Sequence, residues 1–222
     1  MPRPNSLAAR FRGFLPVVLD IETGGFDPRS DAILDVAGVL LQYEDGLLAP
    51  GAVHHFAVEP LRSTHVEPAS LAFTGIDLND PARDALSELD AFRGLFKAVR
   101  QELKAQDCTR AIVVAHNAAF DHQFVMTAAT RNGMKRNPFH PFSFIDTASL
   151  SAVAYGHTVL SRACAIAGID FDNEQAHSAR YDAERTALLF CDVVNRWHRL
   201  GGWPIASRLA DVPRARDDGG DD

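Results

Sequence analysis

The sequence predicts an α/β fold with a mixed central sheet flanked by helices. Three apolar segments separated by short turn signals open the chain, which is typical of consecutive antiparallel strands. After residue 84, amphipathic segments alternate with short apolar ones, which is typical of helices and parallel strands joined by crossovers. A length of 222 residues, of which 46% are hydrophobic, fits one domain with its own core.

The individual elements follow from local pattern. β-Branched and aliphatic runs predict the strands, and apolar residues at steps of three and four predict the long helices. Asn132-Gly133 and Gly201-Gly202 supply helix stops. In chain order we predict strands at 14–20, 33–41 and 52–58, a short helix at 69–74, a helix at 84–105, a strand at 111–115, a helix at 119–131, a strand at 142–145, and helices at 147–154, 158–167 and 179–200.

Composition excludes several classes of protein. No apolar run reaches the roughly 18 residues of a membrane span, and the N-terminal segment lacks the apolar region of a secretory signal. The three cysteines form no C-x-x-C pair, which favours reduced thiols in a cytoplasmic protein over a disulfide or zinc framework. A net charge of −7 argues against a nucleic-acid binder, although basic residues cluster at 3–12, 93–110 and 131–136. Any one of these clusters could equally be a solvated face.

Three motifs carry the candidate catalytic residues. Asp20 and Glu22 stand two apart at the end of the first strand, so their carboxylates share a face, and such a pair favours a cation or protons between them. Asp121 falls in the first turn of a helix, where an acid is also ordinary complementarity to the helix dipole. His177 precedes Asp182 at the start of the last helix and could equally be a surface histidine. Each motif alone is weak evidence.

Together, and in this order, the motifs resemble the DEDDh exonucleases. Segments such as RFRGFLPVVLDIETGGFDP, AHNAAFDH, KRNPFHPFSFIDTASL and QAHSARYDAERTALLFC are similar to those of the ribonuclease T family, and the resemblance covers nearly all of residues 10–204. It implies a ribonuclease-H-like exonuclease domain, which we expect over residues 10–205. An N-terminal extension would occupy 1–9, and an acidic, disordered tail 206–222.

The resemblance also implies a metal-dependent 3′→5′ exoribonuclease that releases nucleoside 5′-monophosphates. Carboxylates suit two Mg²⁺ ions per subunit, with Mn²⁺ as a substitute, and such a pair can clamp the attacking and leaving oxygens of a phosphoryl displacement. Asp20 would bridge both ions, Glu22 and Asp182 would complete one, and Asp121 would hold the other. His177 would be the general base that takes a proton from the attacking water.

Two further sets of residues are implied to bind substrate. The positions where the family stacks the last bases of its substrate are Phe26, Phe73, Phe120 and Phe142. Apart from the resemblance, phenylalanines are more often core residues. A basic patch, which a homodimer would set beside the partner's metal site, is formed by Arg10, Arg12, Lys104, Arg110 and Lys135.

One position departs from the family pattern. Ala69 follows Pro68, where the family typically has a glutamate implicated in contacts to the terminal base. The metal chemistry does not depend on it, but discrimination among terminal bases, including poor handling of a 3′ cytosine, does.

Other histidines and tryptophans favour structural interpretations. The strand pair His54 and His55 has no partner at metal-ligand spacing, and His116 fits a structural residue at a strand end. Trp197 and Trp203 fit core or dimer packing better than a nucleotide platform.

The expected substrates are single-stranded 3′ ends of tRNA and of ribosomal and other small stable RNA precursors, with single-stranded DNA as a side substrate. One alternative is the proofreading exonuclease of a replicative polymerase, which shares the acidic motifs. Another is a module that holds RNA ends without cutting. Comparing RNA with DNA ends, and Mg²⁺ with EDTA, distinguishes them.

Overall fold

The computed structural model describes residues 6–202, and within them the chain forms one six-stranded sheet with helices on its faces. The expected acidic tail and Trp203 lie outside the described residues. The strands are β1 Phe14–Thr23, β2 Ile33–Glu44, β3 Leu47–Glu59, β4 Leu86–Ser87, β5 Arg110–Ala115 and β6 Phe139–Asp146. The helices are α1 Leu7–Arg10, α2 Pro68–Thr74, α3 Glu88–Ala105, α4 Ala119–Arg131, α5 Thr147–Tyr155, α6 Leu160–Ala167 and α7 Ala179–Arg199, with a 3₁₀ turn at Pro81–Arg83.

The sheet is mixed, as the sequence predicts. Its strand order is β4-β3-β2-β1-β5-β6. β1, β2 and β3 form antiparallel neighbours, whereas β5 runs parallel to β1 and β6 runs parallel to β5. The parallel pairs need crossovers, which α3 and α4 provide. The predicted α/β class is therefore confirmed.

Helices α3 and α7 cover opposite faces of the sheet. A Cβ built on Gly38 would lie 2.7 Å from the Leu95 side chain, so the glycine leaves room for Leu95 of α3 to pack closely on β2. The other face of β1, β2 and β3 is covered by α7. Asn195 of α7 exchanges hydrogen bonds of 2.9 and 2.8 Å with the backbone of Leu48, which fixes that helix against β3.

The structure corrects the start of one helix. The predicted helix at 84–105 begins at Glu88, because Leu86 and Ser87 pair with β3 as the short strand β4. The Ser87 hydroxyl then caps the helix by accepting a 3.2 Å hydrogen bond from the Asp90 backbone N–H. Leu86 fits the helical spacing in the sequence but is 38% exposed.

The short helix α1 lies in the segment expected as an N-terminal extension. Leu7 is fully buried there and belongs to the main core. The domain boundary remains a prediction, although the core begins at least three residues before residue 10. Over residues 6–202, no helix has the length and apolar character needed to cross a bilayer.

Candidate active site

The first two acids stand side by side at the end of β1. In the antiparallel pairing with β2, Asp20 lies opposite Ala37 and Glu22 lies opposite Asp35. The register shifts directly after Glu22, where the chain leaves the regular ladder. Because residues two apart in a strand share a face, both carboxylates lie on one face of β1, where Glu22 approaches Asp182 of α7.

Asp121 reaches the same strand from the start of α4. The residue is 4% exposed, and the backbone of Ile21, which lies between Asp20 and Glu22, is near enough to its carboxylate to oppose the rise that burial causes in its pKa. The first turn of α4 thus places a third carboxylate against the end of β1.

The turn before α4 is held by Asp146, a residue that the sequence analysis missed. Its Oδ1 accepts hydrogen bonds from the backbone N–H groups of Asn117 and Ala118, at 2.9 and 3.3 Å. It also accepts from the backbone N–H groups of Ala148 and Ser149, and so caps α5. These bonds lower the pKa of Asp146 against the opposing effect of burial. An acid directly before a predicted helix was the available signal.

Asp182 and His177 come from the entrance to α7. The backbone N–H of His177 donates a 3.0 Å hydrogen bond to Asp182 Oδ2, while the φ of +66° at His177 turns the chain sharply before the helix. One ligand atom each from Glu22, His177 and Asp182 lies within 4.8 Å of the other two. The structure therefore brings the third predicted motif onto the first.

The carboxylates form one electrostatic cluster. Burial, followed by the negative charges of Asp121, Glu22, Asp182 and Asp35, raises the pKa of Asp20 well above its usual range. Burial and the same neighbours raise the pKa of Glu22 to about 8, and burial raises that of Asp121 to about 8. Burial also raises the pKa of Asp182. A cluster of this kind favours protons or cations.

The donor set fits a divalent cation. Asp182 Oδ1 is buried and has no hydrogen-bond partner in the described part of the chain, so one oxygen is left to bind a ligand. The four acids supply only oxygen atoms, which Mg²⁺ and Mn²⁺ prefer. The side chains that could hold a metal are thus those of Asp20, Glu22, Asp121 and Asp182.

A cavity of about 380 Å³ opens beside Glu22. It brings together three of the four predicted aromatic residues, Phe26, Phe73 and Phe120, and Ala69 also lines it. Phe26 and Phe73 are 84% and 66% exposed, so these rings are not core residues. The fourth, Phe142, is 77% exposed on β6, where its ring packs on His140 at a centroid distance of 4.4 Å, and it does not line this cavity.

The aromatic and acidic parts of the site are in contact. The Phe73 ring, carried by α2, packs against the His177 ring with centroids 4.0 Å apart. On the other side, the rings of Phe26 and Phe120 approach edge to face at 6.3 Å. Phe120 directly precedes Asp121, so one turn of α4 serves both parts.

A tight turn presents Phe26 to solvent. The Thr23 hydroxyl donates to the carbonyl of Gly25 at 2.7 Å, and the backbone N–H of Asp27 donates to Asp31 Oδ2 at 2.9 Å. A Cβ on Gly25 would lie 2.1 Å from Asp31 Oδ2, so any other residue here would displace the carboxylate that accepts from Asp27. The turn is therefore a built support for the exposed ring.

The predicted basic residues lie at the opposite end of the sheet. Arg110 begins β5 opposite Phe14, and its Nε donates to the Phe139 carbonyl at 3.2 Å. The guanidinium of Arg12 lies 5.2 Å from the centre of the Phe14 ring. Arg10 ends α1, Lys104 lies in the last turn of α3, and Lys135 lies between α4 and β6. All five basic residues therefore lie in or next to the segments that lead into the starts of β1, β5 and β6.

The structure also tests the structural interpretations of single residues. The His116 ring bridges the Thr147 hydroxyl at 3.0 Å and the Thr158 carbonyl at 2.7 Å, in agreement with a structural role. Trp197 is 52% exposed, so it is not a core residue, and dimer packing stays a prediction for it. His55 does have an acidic partner, Asp35, which the sequence analysis missed. An acid within the apolar run of β2 was the signal.

Comparison with known proteins adds the following findings. The exonuclease family model RNase_T matches residues 17–190. Ribonuclease T of Photorhabdus laumondii is 55% identical over 205 residues, covering 92% of this chain and 94% of that protein. Ribonuclease T of Klebsiella pneumoniae and that of Escherichia coli K12 are each 57% identical over 202 residues, covering 90% of this chain and 94% of theirs.

Solved structures give likenesses of fold. A 3′-exonuclease that recognises a histone mRNA stem-loop superposes with a TM-score of 0.64 at 15% identity, over 82% of this chain and 63% of that one. Escherichia coli exonuclease I in complex with a dT13 oligonucleotide superposes with a TM-score of 0.62 at 20% identity, over 86% of this chain and 43% of that one. Both carry the ribonuclease-H-like exonuclease fold, with further chain outside the shared part.

Proposed function

The chain belongs to the ribonuclease T family of 3′→5′ exoribonucleases, and from this premise we propose that it trims single-stranded 3′ ends of tRNA and other stable RNA precursors in the cytoplasm. Single-stranded DNA is its second substrate, and the products are nucleoside 5′-monophosphates. The observation that carries this proposal is the contact between four clustered acids and an aromatic cavity open to solvent.

The acids are assigned to two Mg²⁺ ions, for which Mn²⁺ substitutes. Glu22 and Asp182 would hold one ion, Asp121 would hold the other, and Asp20 would serve both. When bound, the ions supply charge stabilisation for an in-line phosphoryl displacement. The unpartnered Oδ1 of Asp182 supports this assignment.

His177 is the general base of the proposed reaction. A neutral imidazole nitrogen accepts the proton of the attacking water, and the imidazolium then gives it to solvent. The side chain is exposed and its ring lies against Phe73, so proton exchange with bulk water is open. Its position within 4.8 Å of Glu22 and Asp182 supports a role at the reacting phosphate.

The aromatic cavity selects unpaired ends. Stacking on a ring contributes roughly 1–3 kcal/mol per base and tolerates any base. The terminal base enters between Phe26, Phe73 and Phe120, while Phe142 meets a preceding base. A paired end resists entry because its bases are already stacked and hydrogen-bonded to the other strand.

The active form is a homodimer. The extended β1 separates its first residue, Phe14, from Asp20 by about 20 Å, so Arg12 stands far from its own metal site. An apolar cavity of about 670 Å³ lies beside Arg10 and includes the exposed Val153 and Leu200. Exposed apolar patches of this kind mark interfaces, and we assign this one to a second copy of the chain.

The test uses labelled single-stranded RNA and DNA oligonucleotides with Mg²⁺ and with EDTA. Asp20→Asn and Asp182→Asn should each abolish trimming while the circular dichroism spectrum stays that of wild type. Asp45→Asn is the matched control, since it removes an acid from the β2–β3 turn at a φ of +49° that asparagine tolerates. Retained activity in either site variant, or binding without cleavage in the wild type, would overturn the proposal.

A further inference from the structure

A fifth acid, Asp35, and a histidine, His55, lie on the same face of the sheet as Asp20 and Glu22. Glu22 of β1 pairs with Asp35 of β2, while Ala37 of β2 pairs with Asp20 on one side and with His55 of β3 on the other. Directly opposed residues in antiparallel strands present their side chains on the same face. Asp35 and His55 therefore extend the acidic face of β1 across two further strands.

The Asp35 carboxylate is held in one orientation. Its Oδ1 and Oδ2 lie 2.8 and 2.9 Å from His55 Nε2, and Oδ1 also accepts a 3.1 Å hydrogen bond from the backbone N–H of Val36. The Asp35 side chain is only 14% exposed, against 37% for His55. The histidine thus shields the acid from solvent and fixes it from the side away from Glu22.

Asp35 lies directly opposite Glu22 in the pairing of β1 with β2, so its carboxylate charge lies beside the candidate ligands. Among the charges that raise the pKa of Glu22, its carboxylate follows only that of Asp182, ahead of Asp121. It also contributes to the raised pKa of Asp20. Among residues 6–202, the ligand atoms that lie within 4.8 Å of one another belong to Glu22, His177 and Asp182, and Asp35 is outside this group.

We propose that Asp35 is a positioning residue for the divalent-cation site and that His55 holds it there. Mg²⁺ and Mn²⁺ retain water ligands, and a fixed carboxylate beside the protein ligands favours cation binding by its charge and by accepting hydrogen bonds from those waters. This inference rests on the cation-dependent function proposed above, and it adds a residue pair outside the four acids and His177.

The competing interpretation is a purely structural link between β2 and β3. The two interpretations predict opposite results for Asp35→Asn. If the pair only joins strands, removing the charge weakens the cation-free fold and leaves cation affinity unchanged. If Asp35 serves the site, the same change removes like-charge repulsion from the cation-free cluster and lowers the affinity for the cation.

The experiment measures Mn²⁺ binding by isothermal titration calorimetry and the cation-free Tm of the full chain. For Asp35→Asn we expect an affinity about tenfold lower than wild type and a cation-free Tm that is equal or higher. His55→Ala should also lower the affinity, whereas His55→Gln, which keeps a donor toward Asp35, should restore most of it. Glu44→Gln, on the same strand but away from the site, is the control and should bind Mn²⁺ as wild type does.

Wild-type Mn²⁺ affinity in Asp35→Asn would overturn this inference alone. Wild-type protein that binds no Mn²⁺, or Asp182→Asn that binds it normally, would instead overturn the proposed cation site. The two failures are therefore distinguishable in one set of titrations.

Discussion

At the scale of the residue, the site depends on side chains whose environment differs from what their local sequence suggests. Asp121 opens a helix like many ordinary acids, yet its carboxylate is buried against Ile21 of a neighbouring strand. Phe26 belongs to a residue type that usually lies in the core, yet the turn at Gly25 places its ring in solvent. In both cases the function follows from where the fold places a common residue type.

Ala69 gives a prediction about the terminal base. It lines the cavity beside Phe73, at the position where the resemblance to the family implies a glutamate. We expect the wild-type chain to trim RNA ending in cytosine and RNA ending in adenine at similar rates, and Ala69→Glu to slow the cytosine substrate several-fold relative to the adenine one. Single-turnover rates on two oligonucleotides that differ only at the last base would measure the ratio.

The control for this change is Ala69→Gln, which adds the same volume without the charge. If both variants shift the ratio equally, bulk rather than the acid discriminates. If the wild type and Ala69→Glu stall equally at cytosine, Ala69 has no role in base choice.

At the scale of the element, the ends of strands and helices locate the chemistry. β1 delivers Asp20 and Glu22, α4 delivers Asp121, and the entrance of α7 delivers Asp182. Of these elements, α7 is fixed by contacts remote from the site, the Asn195 hydrogen bonds to β3. Changes at those contacts should therefore act on both stability and activity.

The Asp146 side chain gives a prediction at this scale. It links the β5–α4 turn to the start of α5 through backbone N–H groups, so the amide of Asp146→Asn would replace one acceptor oxygen by a donor. We expect a loss of about 2 kcal/mol in the free energy of unfolding, measured by urea denaturation. We also expect lower exonuclease activity, because the turn carries Asp121.

Asp170→Asn, on the loop before α7, serves as the control and should unfold as wild type does. Wild-type stability in Asp146→Asn would show that the turn is held by other contacts.

Much of the element pattern is readable from the sequence. The bounds of α4 agree because an apolar strand precedes it and Asn132-Gly133 ends it. The start of α3 was wrong because Leu86 continues a helical spacing while its backbone pairs with β3. The acid within the apolar run of β2 was a signal for Asp35, but its partner His55 could not be predicted, since the contact depends on the register between β2 and β3, which shifts between Val39 and Leu41. Register is a property of the assembled sheet.

At the scale of the whole molecule, the clustered acids lower the free energy of unfolding of the cation-free protein. The folded-state pKa values of Glu22 and Asp121 are about 8, whereas carboxyl groups in an unfolded chain have pKa values of about 4. Between these values the folded state holds protons that the unfolded state has released. The free energy of unfolding therefore falls as the pH rises from about 4 to about 8.

We predict that the cation-free Tm is lower at pH 8 than at pH 6, and that Mg²⁺ or Mn²⁺ reduces this difference. Differential scanning calorimetry in EDTA and in each cation would measure it. The double variant Glu22→Gln, Asp121→Asn should flatten the dependence. A cation-free Tm that rises over this range would contradict the assignment of these acids to one buried cluster.

The remoteness of the basic patch gives a second prediction for the whole molecule. A subunit lacking the patch (Arg12→Ala, Lys104→Ala) and one lacking the metal site (Asp20→Asn) should each be nearly inactive. Their mixture forms dimers in which one metal site faces an intact patch, so part of the activity should return after exchange. Mass spectrometry would establish the exchange, and a fully exchanged mixture that stays inactive would contradict action across the dimer.

The placement of acids and arginines at opposite ends of β1 also makes each subunit an electric dipole. In the proposed dimer, two subunits arranged antiparallel would cancel one another's moment and attract one another through their fields. Above about pH 8, where Glu22 and Asp121 have released their protons, cations bound at Asp20 and its neighbours would neutralise the negative pole. Metal binding would therefore weaken the long-range attraction between subunits in that pH range, and added salt would weaken it most in the metal-free protein.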